Sequence, residues 1–360
     1  MNLITIILDS ALVLTTLSVL LLIVIIGLRI FTDRSLDHEA NFRKRAVPVL
    51  KGYLTGDASV EVAAAILGKN PHLALRLLME ESDALGEGGR RSLHPLFAAF
   101  PIAKKELSAL QSLRWQTRLH AAERLGYLGD DAALPGLMTA LRDDVVVVRF
   151  AAARSLCQLA CQEAVEPIIS SLDVPGEVSQ RRVAEILFIL GPGAVDPVLQ
   201  ILKNQKAPAY NESSLSIAAR VAGMLRINRA VPELRNLLTH QSSNVRLNAV
   251  RSLASIGDHG SIPSIASLSE DSSWEVRSSV MAALGKLQAT DRIPILLQGL
   301  SDPEWWVRNN AGASLIQLGD QGIKVLRNAV EHHVDAYGRD VSRQILQQHG
   351  LLPATTESHS

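Results

Sequence analysis

Aromatic side chains are scarce in this 360-residue sequence, at 4% of the total. The core must therefore be packed by alanine and aliphatic residues, drawn from a hydrophobic fraction of 47%. That scarcity argues against an all-β fold, whose strands favour aromatic and β-branched residues. It suits stacked helices, where Ala and Leu combine high propensity with close backbone approach. Cysteine is nearly absent too: two residues, Cys157 and Cys161, make no disulfide framework. One helical turn apart, they read as two small buried apolar side chains in a reducing compartment. Net charge is missing as well, 36 basic residues balancing 36 acidic ones, so no overall field draws the chain to nucleic acid. The ten histidines form no His-Glu-x-x-His, and there is no Cys-x-x-Cys, Gly-rich phosphate loop or G-x-S-x-G. No catalytic residue, metal or cofactor is assigned.

Against these absences stands one long uncharged stretch. Nineteen residues, Ser10 to Leu28, would span about 28 Å as a helix, close to the hydrocarbon thickness of a bilayer. A secretory leader would have a basic residue before the run and a shorter apolar core; here neither holds. The reading is an uncleaved transmembrane anchor over 1–31, followed by a basic juxtamembrane linker over 32–51. Asp9 alone precedes the span, whereas Arg29, Arg34, Arg43, Lys44, Arg45 and Lys51 follow it. Basic flanks stay in the cytoplasm, which places the N-terminus outside and the remainder inside, as a single-pass protein of the cytoplasmic membrane. Asp9 is expected at the interface.

The rest of the chain repeats itself. A Val-Arg or Thr-Arg pair opening an alanine-rich stretch recurs at Arg118 and Arg149, and again at Arg246, Arg277 and Arg308, with the same interval inside each run. Gln180 and Leu215 occupy the arginine position in two weaker copies, separated by a slightly longer interval. The four extra residues fall around Lys206–Asn211. Each copy also carries a proline, at Pro135, Pro167, Pro197, Pro232, Pro263 and Pro294, suited to a first helical turn. Each unit is therefore a helical hairpin, and one hairpin cannot bury its own apolar face, so the copies must stack. In the Val-Arg helix the Val, the residue three after Arg and the Leu seven after it share the inward face.

The form Asp-x-x-x-x-Val-Arg-x-x-Ala-(Ala)-x-x-Leu-Gly, seen at Asp143–Leu156, Asp271–Gly285 and Asp302–Leu315, resembles the HEAT repeat, in the short HEAT-like subtype of phycobilisome lyases. The resemblance runs from about Trp115 to Val330. It implies an all-α fold, a right-handed α-solenoid with the Val-Arg helices on its concave side, and a structural ladder of Arg118, Arg149, Arg246, Arg277 and Arg308 with Asp143, Asp271 and Asp302. On this reading, residues 52–114 are degenerate N-terminal helical repeats, 115–348 the solenoid and 349–360 a disordered tail.

Two residue sets are candidates for partner binding. Trp115, Trp274 and Trp305 each stand three residues before a ladder arginine, and Trp306 is adjacent. They are either amphipathic plugs at helix starts, stacked on arginine, or an exposed aromatic patch for a protein. Arg154, Arg220 and Arg251, five residues after the ladder position, belong to a column that faces away from the core. It either lines a recognition groove or forms a solvated face of weak ion pairs. The expected function is a non-enzymatic, membrane-anchored scaffold that binds a protein, itself a membrane protein such as a component of a polysaccharide-synthesising glycosyltransferase complex, and no nucleic acid. The resemblance also implies an alternative, a lyase or modifying enzyme of the phycobilin-lyase type.

Overall fold

A computed structural model describes residues 3–99, 103–172, 177–205, 207–208 and 210–353. The expected tail beyond residue 353, the Asp9 side chain, and residues 206 and 209 of the insertion lie outside the described residues. Among the described residues every regular element is helical. The chain divides into two compact units, residues 1–111 with 127–130 and residues 112–126 with 131–360.

The first unit is built on α1 (Leu3–Thr55), α2 (Val60–Leu67), α3 (Pro71–Ala98) and α4 (Ala103–Ala109). Residues 32–51, read from sequence as a linker, are the C-terminal part of α1 and carry its packing face. Ala46 and Leu50, one turn apart, are buried, as are Leu75, Leu78, Leu93, Leu96 and Phe97 of α3. Exposed ion pairs, Arg43 to Glu80 and Arg76 to Glu39, both at 2.6 Å, join the two helices; such pairs contribute little each. Ser59 caps α2 by accepting from the Val62 N–H. The aliphatic side chains from Leu17 to Ile26 are exposed. Among the described residues no single helix is long and apolar enough to cross a membrane. The apolar stretch found is Thr16–Ile26, shorter than the expected Ser10–Leu28 because the side chains at 10–15 and 27–28 are outside the described residues.

The second unit alternates two kinds of helix. The Val-Arg helices are α5 (Trp115–Leu128), α7 (Val146–Gln158), α9 (Glu177–Ile189), α11 (Glu212–Met224), α13 (Ser243–Ile256), α15 (Trp274–Lys286), α17 (Trp305–Gln317) and α19 (Ala336–Gln348). Between them come shorter helices: α6 (Leu134–Ala140), α8 (Val165–Ser171), α10 (Val195–Lys203), α12 (Val231–Leu237), α14 (Ile262–Ala266) and α16 (Ile293–Gly299). Each of these opens with its proline near the first turn, where no N–H is required. The last, α18 (Asp320–His332), lacks a proline and is longer. Successive Val-Arg helices from α7 to α19 pack on one another.

The inward face is the one expected. Val148, Val245, Val276 and Val307 are fully buried, as are Ala121, Ala152, Ala249 and Ala311, and Leu125, Leu156, Leu253, Leu284 and Leu315. Each fully buried leucine contributes on the order of 2 kcal/mol of transfer free energy. A second buried column was not anticipated. Ser155, Ser252 and Ser314 donate to the carbonyls of Ala122, Ala219 and Met281 in the preceding Val-Arg helix, at 2.7–2.8 Å. Opposite them stand Gly126, Gly223 and Gly285, where an added Cβ would come within 2.5 Å of the serine Oγ. Glycine lets these helices approach closely enough for serine to satisfy itself on backbone.

Candidate functional site

The turns that lead into the Val-Arg helices concentrate the polar chemistry. Arg118 grips Asp143 bidentately, Nε to Oδ2 at 2.6 Å and Nη2 to Oδ1 at 2.8 Å. Arg246 does the same to Asp271, and Arg277 to Asp302, at 2.6–3.0 Å. Each aspartate thus binds the arginine of the preceding copy. Its Oδ1 also accepts the backbone N–H two residues on, at Val145, Ser273 and Glu304, each at 2.9 Å. The arginine Nη1 donates to the carbonyl six residues before it, as Arg149 does to Asp143 and Arg308 to Asp302. Charge-assisted bidentate pairs of this kind fix both distance and angle between turns.

These contacts hold the carboxylates low. The hydrogen bond from Arg118 brings Asp143 down to about 2. At Asp271 and Asp302 burial opposes ionisation, but hydrogen bonds from Arg246 and Arg277 outweigh it and keep both below the usual range.

The ladder changes where its residues change. At Gln180 the side-chain amide donates to Ser213 at 2.9 Å and accepts from Asn244 at 2.7 Å, a neutral substitute. At Leu215 the arginine is gone, and the place that Asp fills in other copies is taken by His240. Its Nδ1 still accepts the N–H of Ser242 at 3.1 Å, so the turn keeps its cap although there is no arginine to bind. A further member was missed from sequence. Arg339 stands one repeat interval after Arg308 and donates to the carbonyl of His333 at 2.6 Å; the spacing alone would have found it.

The predicted binding residues fall into separate groups. Arg154 and Arg251 are exposed and Arg220 is half-buried. Arg251 donates to Ser279 of the next Val-Arg helix at 3.2 Å, so part of this column ties repeats together. Trp115 is exposed at the head of α5, and Trp274 is half-buried at the head of α15. Trp305 and Trp306 come together at the head of α17, edge to face with centroids 4.7 Å apart, and are 43% and 55% exposed. The ring that stacks on Arg308 is Tyr337 of the next copy, 4.8 Å from the guanidinium carbon, rather than the tryptophan one turn away. Tyr337 is itself 63% exposed. Two exposed tryptophans and the tyrosine that covers Arg308 thus lie at the heads of α17 and α19, at the C-terminal end of the second unit.

Away from the ladder lie a tyrosine–glutamate pair and two buried cysteines. An open cavity of about 640 Å³ lies beside Arg142, Ile169 and Ser214. On its wall Tyr210 donates to the Glu166 carboxylate, which pushes the phenol up to about 12. Cys157 and Cys161 are free and buried; burial pushes the Cys157 thiol up to about 12, so at neutral pH it is a thiol rather than a nucleophilic thiolate.

Stacked antiparallel helical hairpins bound by an Arg–Asp ladder define a repeat protein of the α-solenoid class. The sequence model of the family described as HEAT repeats matches residues 104–187, 195–271 and 263–347, more than half of the chain. The chain belongs to the HEAT repeat family. No curated protein matches it at a significant level. Similar solved structures include the CpcE–CpcF complex of phycocyanin lyase from Nostoc sp. PCC7120, at 18% identity over 69% of this chain and 94% of that one, with a TM-score of 0.32. YibA of E. coli is 16% identical over 72% and 97% of the two chains, with a TM-score of 0.40. The Kap95:Nup1 complex is 13% identical over 80% and 44%, with a TM-score of 0.49. The likeness to these structures is one of fold.

Proposed function

We propose that this chain is a membrane-tethered docking scaffold that acts by binding a protein partner rather than by catalysis. Membership of the HEAT family supports a scaffold role, and one observation carries the choice of face: the exposed Trp305–Trp306 pair. Large aromatic side chains held at a rigid helix start dominate binding energy at interfaces, and these two are left to solvent although the chain has only four tryptophans.

The tether rests on the exposed aliphatic run from Leu17 to Ile26 in α1, inside the uncharged Ser10–Leu28 stretch. The arginines and lysines that follow put the repeats on the cytoplasmic side. Confinement to a thin layer raises the effective concentration toward membrane-bound proteins, so the partner is itself a membrane protein. A photo-crosslinking amino acid at position 306 in intact cells should capture a defined protein, whereas the same probe at the exposed Ser264 of α14 should not. Trp305→Ala with Trp306→Ala should weaken that capture while leaving helicity unchanged. Equal capture from positions 306 and 264 would show that this face is not the docking surface.

A further inference from the structure

Two arginine rungs lack an aspartate in the copy ahead: the place matching Arg149 holds Val174, and the place matching Arg308 holds His333. Three arginines bind the aspartate of the copy ahead of them, and where the arginine is replaced by Leu215 that aspartate is replaced in step by His240. At His333 the imidazole takes over the aspartate's capping task, its Nδ1 accepting the Asp335 N–H at 3.2 Å. It carries no negative charge for the guanidinium. The ring is also wedged in place: the next position of the Val column is Gly338, where a Cβ would collide with His333 Nδ1. Arg308 is only 8% exposed, and its Nε has no hydrogen-bond acceptor among the described residues. A buried guanidinium edge without an acceptor is costly, and elsewhere in this array that same edge always meets a carboxylate when Asp is available.

We infer that the acceptor for Arg308 comes from the partner: the aromatic cluster recognises a peptide segment with an aspartate or glutamate beside an apolar side chain. The carboxylate would approach the Nε and Nη2 edge of Arg308 beside the His333 ring, once Tyr337 swings away on its two side-chain torsions. The neighbouring apolar residue would pack on Trp305, Trp306 and the 98% exposed Val334. Charge complementarity selects the occupant, since the site presents a buried guanidinium with no carboxylate on its Nε edge, covered by Tyr337 and followed by exposed apolar side chains. This specificity rests on the docking reading above and adds the chemistry of the bound segment.

The test uses random heptapeptides displayed on phage and selected on the full chain in detergent micelles. Sequences recovered should carry an acidic residue next to an aromatic or aliphatic one. The double variant His333→Asp with Gly338→Val closes the rung from within and refills the space left by the imidazole. It should melt at or above the wild-type temperature and bind a recovered peptide about tenfold more weakly, or worse, the loss expected for a charge-assisted hydrogen bond. Arg308→Lys, which keeps the charge but loses the forked edge, should weaken the same peptide comparably. No enrichment, enrichment without a carboxylate, or unchanged binding by the double variant would overturn the inference. If crosslinking from position 306 succeeds while the double variant binds normally, the scaffold survives and only the carboxylate specificity falls.

Discussion

Eight residues, one at the end of each Val-Arg helix, adopt a left-handed backbone: Gly129, Ala160, Gly191, Arg226, Gly257, Gln288, Gly319 and Gly350. Their spacings repeat those of the arginine column, its single longer interval included, so the helix stop is as periodic as the helix start. Five of the eight are glycine, which takes positive φ without penalty. The others carry a strained side chain, and Ala160 is exposed, with φ at 57°. Ala160→Gly should therefore raise stability by roughly 1 kcal/mol, read as an upward shift of the urea midpoint; a downward shift would mean that the strain is not there. The stop was half legible in the sequence, as the glycines at 129, 191, 257, 319 and 350, three residues beyond the Leu-Gly of the repeat motif. Some copies hide it behind Ala, Arg and Gln, because a single αL residue is tolerated when both neighbours are held in packed helices.

At the scale of helices, the ladder sets the response to acid. Asp143, Asp271 and Asp302 all have pKa values depressed on folding, so their contribution is complete above the ordinary carboxylate value of 3.8. It is lost as pH falls through the folded value, about 2 for Asp143. The thermal midpoint should hold from pH 7 to pH 5 and drop steeply below about 4. Asp143→Asn should flatten that drop in circular-dichroism melts, and an identical profile would show that this rung does not stabilise the fold. The inward register is tested separately at Ala311, fully buried in α17. Ala311→Asp places a carboxylate without a partner in the core, at a cost of several kcal/mol, and should melt the C-terminal repeats first. Unaltered melting would refute the register. That register was readable because Val, Ala and Leu at fixed offsets can share only one helix face. The Ser–Gly column at Ser155, Ser252 and Ser314 was not, since small residues look alike whether they face solvent or allow contact.

For the molecule as a whole, the proposal makes residues 1–31 an anchor. The full chain should sediment with membranes and resist alkaline carbonate, deletion of residues 1–31 should release it, and a C-terminal tag should become accessible only after cell lysis; a tag labelled on intact cells would reverse the topology. The repeat length, the insertion between the copies at Gln180 and Leu215, and the helical class were determined by the sequence alone, because each follows from periodicity along the chain and periodicity survives without coordinates. Tertiary structure decided which partner each polar residue meets. Asp143 meets Arg118 of the copy before it, and the ring over Arg308 belongs to Tyr337. Gly338 clears the space that His333 fills. Those pairings depend on how one turn is set against the next across a stack, a distance in space that residue spacing does not encode.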